Sequence, residues 1–497
     1  MGVIAKQSIK GTIVTYIGVA IGALTTLFVQ TRFLTTEEVG LVGAMIDAAT
    51  FFISLAQLGT SSSIIRFFPY FKNDRGHHGF FLWTLLVPLL GFLVFSLIFY
   101  LCRMPIGAWF GQKSPLFVHY YYLLLPLSFF MLYQTIFETN ANVLMHIVLP
   151  RAVREIGVRV GLLVVYLLYA AGVLSMDGFM VSICGVYAIA SLINLVYLFR
   201  LEPLDLKPDW TFLSENKTVV KQYIRYSLLL LLTALANGLA PILSALFITA
   251  KMGLSFTGIF KIATNIAVMV SIPYRSMTAI ASPQLAAAMK QEDRGQCSQL
   301  MQQCCSNLLL VGSFILLLVW VNVDLIYHVI PNGEIYGTAR ETVLILMLAH
   351  LTMAVFNITN ATLSYSHYYG FSLLFSFLLT AGLIVSNSLL IPRWGMNGAA
   401  LSTLVCYAVY FTMVVSTVLI ATKTSPFSRK QIWMLLLAGA LFVVNEGLLR
   451  LSGDMNIWLS SIVRTVVIIG GGMWIAYKAN LSEEINALLR KILVPRK

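Results

Sequence analysis

Charge is scarce along this chain: Asp, Glu, Lys and Arg together supply 11% of its 497 residues. A soluble globular domain carries about 25%, so a water-exposed surface of ordinary composition is excluded. No polar stretch is long enough to fold as a separate soluble domain; the longest is RLEPLDLKPDWTFLSENKTVVKQ at residues 200–222. Paired cysteines of the CxxC kind are missing, since none of the six, Cys102, Cys184, Cys297, Cys304, Cys305 and Cys406, stands three positions from another. The seven histidines show no HExxH pattern, so neither a zinc site nor a disulfide framework is expected. A GxxxxGK[ST] phosphate loop is also absent, which argues against direct drive by ATP. Glu37 and Glu38 are adjacent, but consecutive side chains diverge on a helix. The longest connections opposite the N-terminal side, about 102–115 and 328–341, hold no acid pair and no nucleophile with its base, so no enzyme is expected.

What the sequence has in abundance is apolar residues: 59% are hydrophobic and mean hydropathy is +0.85. Runs of about 17–25 apolar residues, enough to cross a bilayer, recur along the whole chain. The expected fold is an all-α polytopic membrane protein with about 14 transmembrane helices, near 11–31, 40–65, 79–101, 116–137, 156–173, 178–199, 226–249, 254–280, 304–327, 342–364, 369–391, 396–420, 431–449 and 456–477. Lys and Arg gather on alternate connections, among them Arg151, Arg154 and Arg159, then Lys217, Lys221 and Arg225. That bias places both termini in the cytoplasm. The net charge of +13 then faces anionic headgroups, so membrane lipids are the expected partners and nucleic acid is not. No cofactor is expected.

The polar stretch divides six spans from eight, and the chain restarts after it. Sliding TTEEVGLVGAMIDAATFFISLAQLG onto MGLSFTGIFKIATNIAVMVSIPYRS by 218 residues sets Gly40 on Gly258, Asp47 on Asn265 and Ala49 on Ala267. This predicts two pseudo-symmetric six-helix lobes, residues 1–200 and 223–422, joined by a cytoplasmic linker at 201–222. Residues 423–497 add two C-terminal helices and a tail. An even number of spans per copy gives a parallel repeat, the plan of transporters that hold substrate between lobes.

Two cations stand inside one predicted span, Lys261 and Arg275. Each costs about 2.5–3.5 kcal/mol at a bilayer centre, so it faces a cavity or a partner, or its stem carries the charge to an interface. On an uninterrupted helix the two share a face that also carries Asn265. The tenth span sets His350, Asn357, Asn360 and Ser364 on one narrow stripe, which suits either interhelical hydrogen bonds or a polar lining. Asp47, in the second span, is the carboxylate for ion coupling or for pairing with a cation. Glu446 and Arg450 are spaced for an ion pair that Arg464 joins from the next helix. At RAVREIGVR, the three arginines suit lipid headgroups or a lipid-linked diphosphate.

The stretch TRFLTTEEVGLVGAMIDAATFFISLAQLGTSSSIIRFFPYF, residues 31–71, resembles the polysaccharide flippase branch of the multidrug/oligosaccharidyl-lipid/polysaccharide superfamily. Arg32, Leu34, Glu38, Gly40, Gly59 and Arg66 with Phe67 carry the likeness, while Thr36 and Val39 replace a frequent proline and a frequent aromatic. The resemblance implies alternating access that moves undecaprenyl-diphosphate-linked oligosaccharide repeat units across a bacterial inner membrane, for O-antigen, capsule or exopolysaccharide. It further implies a polysaccharide polymerase and chain-length machinery as partners. The substrate-binding residues it suggests are Arg32, Arg66, Lys261, Asn265, Arg275, His350, Asn357 and Asn360, with Asp47 in coupling. The alternatives are a cation-coupled multidrug exporter of the same superfamily, a lipid II flippase and, from the enzyme class, a glycan polymerase or ligase.

Overall fold

The computed structural model describes residues 3–71, 76–201, 217–451, 455–482 and 486. Among them there are no strands, and ten helices are long and apolar enough to cross a membrane. The expected fourth span falls on a helix broken by a 3₁₀ turn at Tyr121–Leu123, and the fifth on one interrupted by a π turn at Val153–Gly157. The expected eleventh and twelfth spans form one helical element, Tyr369–Ala421, bent at Gly395 (φ 56°, ψ −132°) just after Pro392. Pro392 removes a backbone donor and Gly395 takes a conformation that a side chain resists, which together make the bend. The predicted linker at 201–222 has residues 202–216 outside the described part.

The chain forms two compact units, Met1–Lys261 and Ile262–Lys497. In the first, α1 (Val3–Leu24) passes through a π turn at Thr25–Gln30 into Thr31–Phe33. Helix α2 (Thr36–Ala56) follows at once. Its start is fixed by a capping box: the Thr35 hydroxyl accepts the Glu38 backbone N–H at 3.2 Å, and the Glu38 carboxylate accepts the Thr35 N–H at 2.8 Å. Two of the unpaired first-turn donors are thereby satisfied. Thr35→Ala should lower stability by about 1 kcal/mol, read as a lower midpoint in thermal unfolding of the detergent-solubilised protein; an unchanged midpoint would show that the cap contributes nothing.

Leu58 and Gly59 take left-handed conformations (φ 46° and 70°), ending α2 and turning the chain into α3 (Thr60–Phe71). Helices α4 (Phe80–Leu101), α5 (Leu124–Val143), α6 (Val158–Ala170) and α7 (Met176–Leu201) complete the packing with α8 (Lys217–Lys251) and with α9 (Leu254–Ala267) as far as Lys261, where the first unit ends. Aromatic residues from α2, α3, α4 and the Gly76–Gly79 turn interlock: Phe52 meets Phe92 edge-on at 5.6 Å, and Phe68 meets His77 at 5.1 Å. In lipid, packing of this kind and satisfied hydrogen bonds hold helices together, since the hydrophobic effect between them is weak.

The second unit contains α10 (Ile272–Lys290), α11 (Arg294–Val321), α12 (Arg340–Tyr365), α13 (Tyr369–Ala421), α14 (Arg429–Leu451) and α15 (Ile457–Thr465), the last continuing through a π turn into Gly471–Lys478. The expected ion pair of Glu446 with Arg450 and Arg464 is not formed. Glu446 instead accepts the Trp320 indole N–H at 2.9 Å, while buried Arg464 bonds Ser460 at 3.2 Å. Arg450 ends α14 with its side chain exposed. The i,i+4 spacing aligns residues on one helix, but a donor from a packed neighbour reaches the half-buried carboxylate with less desolvation. Arg340 lies over the Trp320 ring at 4.4 Å and pairs with Asp324 at 2.9 Å.

Candidate functional site

Helices α2 and α9 cross inside the first unit, and two glycines make the crossing. A methyl group added to Gly40 would overlap the Leu254 carbonyl oxygen, and one added to Gly258 would overlap that of Thr36. The contacts are reciprocal: Thr36 and Gly40 on one helix stand 218 positions from Leu254 and Gly258 on the other. The two contacts are thus spaced alike on the two helices, at the 218-residue offset by which the sequences were aligned. Small residues permit this approach, as they do between membrane helices generally.

One turn further along, the correspondence breaks chemically. Lys261 forms an ion pair with Asp47, and Gly43 leaves room for the lysine stem, its missing Cβ position lying 3.0 Å from Lys261 Cγ. The 218-residue offset maps Gly43 onto Lys261 and Asp47 onto Asn265. One copy thus supplies a carboxylate and a gap, the other a cation and an amide. The side chains are 11% exposed for Asp47 and 23% for Lys261, so the pair is largely withdrawn from solvent. The Lys261 ammonium is thereby held against a carboxylate.

Polar contacts close the ends of these helices. Beside the start of α9, the Ser114 hydroxyl donates to the Thr249 carbonyl at 2.6 Å, Thr249 and Thr257 hydroxyls meet at 2.9 Å, and Gly253 (φ 106°) lies against the Lys113 carbonyl. Tyr169 bonds the Glu38 carboxylate that also caps α2. At the far end, on α3, Ser63 meets Ser227 of α8 at 2.8 Å, and Arg66 lies 4.2 Å over the Tyr226 ring. Phe67 stands edge-on to Tyr223 at 5.3 Å.

The other predicted residues are distributed as follows. Arg32 is exposed at the end of the first span and lies 5.6 Å from the Phe33 ring centre. Arg66 is exposed apart from its stacking on Tyr226. In the second unit, Asn265 and Arg275 are exposed, and no ion pair among the described residues involves Arg275. Asn357 donates to the Tyr274 hydroxyl, and the Asn360 side chain accepts from Ser372 at 2.8 Å. These two amides serve interhelical bonds. His350 is half-buried, with Nδ1 lacking a hydrogen-bond partner among the described residues. Sequence reasoning named Asp47 and Lys261 separately and missed Gly43; the repeat offset, which maps Gly43 onto Lys261, was the signal available.

No group of His, Cys, Asp and Glu suited to a metal ion occurs among the described residues. Comparison with curated protein sequences returns no match. Among solved structures, a lipid II flippase, MurJ, in an inward closed conformation is similar over 95% of this chain and 100% of that one, with TM-score 0.72 and 12% identity. An inward-facing multidrug resistance transporter of the MATE family, in the MOP superfamily, covers 86% of this chain and 100% of its own at TM-score 0.63 and 16% identity. A MOP superfamily transporter from Pyrococcus furiosus, described as having a binding pocket of reverse polarity, gives TM-score 0.55 at 13% identity, over 85% of this chain and 96% of that one. The fold is that of MOP superfamily transporters. The polysaccharide biosynthesis protein family matches residues 8–289, and with more than half of its length so matched the chain belongs to that family.

Proposed function

We propose that this protein is a flippase that carries undecaprenyl-diphosphate-linked oligosaccharide repeat units across a bacterial cytoplasmic membrane, for O-antigen, capsule or exopolysaccharide. It works by alternating access between two six-helix lobes, with both termini in the cytoplasm. The observation that carries this reading is Lys261, a membrane lysine seated in a gap left by Gly43 and anchored by Asp47. A diphosphate crossing a low-dielectric interior needs positive charge along its path. An anchored lysine offers that charge at a defined depth, and Arg32, Arg66 and Arg275 add exposed guanidiniums with planar donor sets suited to phosphate oxygens. Asn265, His350, Asn357 and Asn360 add polar groups for the sugar. Asp47 orients Lys261 and exchanges it with the incoming anion, which is its part in coupling. Family membership in polysaccharide biosynthesis and full-length likeness to a lipid II flippase support a lipid-linked substrate. Polymerase and chain-length proteins are the partners that would receive the product.

The test is translocation in proteoliposomes. A fluorescent undecaprenyl-diphosphate oligosaccharide should become protected from, or exposed to, a membrane-impermeant quencher at a rate that depends on the protein. Cationic dyes should not be exported. Dye export without headgroup translocation would overturn the reading in favour of a drug exporter.

A further inference from the structure

Four side chains and one backbone carbonyl link α5 to α1 in a line of alternating charge. Buried Glu138, on α5, accepts from Arg154 at 2.9 Å; Arg154 also reaches Glu155 at 3.2 Å; Glu155 pairs with Arg159 at 3.1 Å; and Arg159 donates to the carbonyl of Gly18 on α1. Arg151 stands beside the line with its Nε buried and unmatched among the described residues. Gly18 and Gly22 make the last link possible, since a methyl at Gly18 would strike Glu155 and one at Gly22 would lie 2.7 Å from the Arg159 guanidinium. Arg154 and Glu155 lie in the π turn Val153–Gly157, and α1 has its own π turn at Thr25–Gln30. Such turns are rare and recur at functional positions.

On α5 itself, one turn to either side of Glu138, and on α7, which packs on α5, hydrogen-bonding capacity is spare among the described residues. One turn before it on α5, Gln134 is 4% exposed with Nε2 unmatched; one turn after it, Asn142 Oδ1 is unmatched. On α7, the Asn194 amide is 1% exposed with neither side-chain atom matched among the described residues. Unmatched amides in a membrane interior are costly unless they serve water or a changing partner. The charges acting on Glu138 are Arg154, Arg151 and Glu155. Of the helices packed on α5, α4 carries no Asp, Glu, Lys or Arg; α2 brings Asp47, held by Lys261, with Glu37 and Glu38 at its distant start. Helix α3 brings Arg66, stacked on Tyr226, and α7 has Asp177 and Arg200 at its ends, with Tyr197 bonded to His146 at 3.3 Å.

We infer that Glu138 is a proton-binding site whose occupancy sets the attachment of α1 to the α5–α6 corner. The proton adds to a Glu138 carboxylate oxygen, the carboxyl turns to an unmatched amide, and Arg154 falls back on Glu155. No charge is orphaned, because the Arg154 side chain is 45% exposed and keeps its second carboxylate. That same exposure gives the proton a route from water. Glu155, now shared more strongly with Arg154, loosens its hold on Arg159 and so on Gly18. The proposed flippase activity enters only at the last step, where movement of α1 is coupled to substrate passage.

Two measurements on the full chain in lipid bilayers test this, both independent of transport. Infrared spectroscopy should show a protonated-carboxyl band growing as pH falls in wild type and in Asp47→Asn, and missing in Glu138→Gln. In Arg154→Gln, which removes the stabilising cation, the band should appear at higher pH than in wild type. Spin labels at Ile13 and Leu149, both exposed, should report a pH-dependent distance that becomes pH-independent in Glu138→Gln. A band that persists in Glu138→Gln, or a distance insensitive to pH in wild type, would overturn the inference. If the glutamine variant fails to fold, the Arg154→Gln band decides: a band at unchanged pH overturns it. Absence of lipid translocation by wild type would sink the flippase reading and leave these results standing.

Discussion

Lys261→Ala is expected to abolish headgroup translocation and to destabilise the protein by about 3–5 kcal/mol, the cost of leaving a buried charge without its partner. The charge left behind is Asp47, whose side chain is 11% exposed and whose cation sits in the gap opposite Gly43. The double variant Asp47→Asn/Lys261→Gln removes both charges, so most of the stability should return. Translocation of a diphosphate should not return with it, because the positive charge is gone. A double-mutant cycle of thermal unfolding separates the two effects. If the neutral double variant translocates as wild type does, the pair is only structural.

Gly258→Ala and Gly40→Ala form the second large effect. Each methyl meets a backbone carbonyl rather than the end of a flexible side chain, so α2 and α9 must separate to admit it. Overpacking of this kind costs about 1–3 kcal/mol, and here the strain falls at the crossing that positions Lys261. Both variants should unfold at lower temperature and translocate slowly. A cysteine placed at Val39, 3% exposed, or at Leu254, 2% exposed, should become reactive to a water-soluble maleimide in either background. Unchanged unfolding and unchanged reactivity would show that the contact is not tight in the membrane. Gly172, by contrast, has open space around its Cβ position, although its positive φ of 73° makes it a poor control for helix packing.

The class of fold was legible because the bilayer imposes a length and a composition on every spanning segment. Kinks were less so. Gly395 with Pro392 marked one break that the sequence places between two spans, but the 3₁₀ turn at Tyr121–Leu123 and the π turn at Val153–Gly157 carry no equally plain signal. A further 3₁₀ turn at Val268–Ser271 interrupts the helix between Lys261 and Arg275. Arithmetic that gives the two cations one face needs a continuous helix, which is not there. Periodicity found the stripe of Asn357 and Asn360 but not what it faces, since Tyr274 and Ser372 lie 83 and 12 positions away in sequence. Asp47 and Lys261 were each visible as costly charges in apolar runs. Their pairing was hidden because it spans more than 200 residues, although the offset that aligned Gly40 with Gly258 also aligned Gly43 with Lys261.

The central claim is that an anchored membrane lysine serves the passage of an anionic lipid-linked glycan. The most direct measurement compares initial translocation rates of two lipids in the same proteoliposomes: an undecaprenyl diphosphate oligosaccharide and the same oligosaccharide on undecaprenol without phosphate. The account predicts fast, protein-dependent movement of the diphosphate lipid, slow movement of the neutral one, and loss of the difference in Asp47→Asn/Lys261→Gln. Equal rates for both lipids in wild type, or a preference for the diphosphate that survives the neutral double variant, would contradict it.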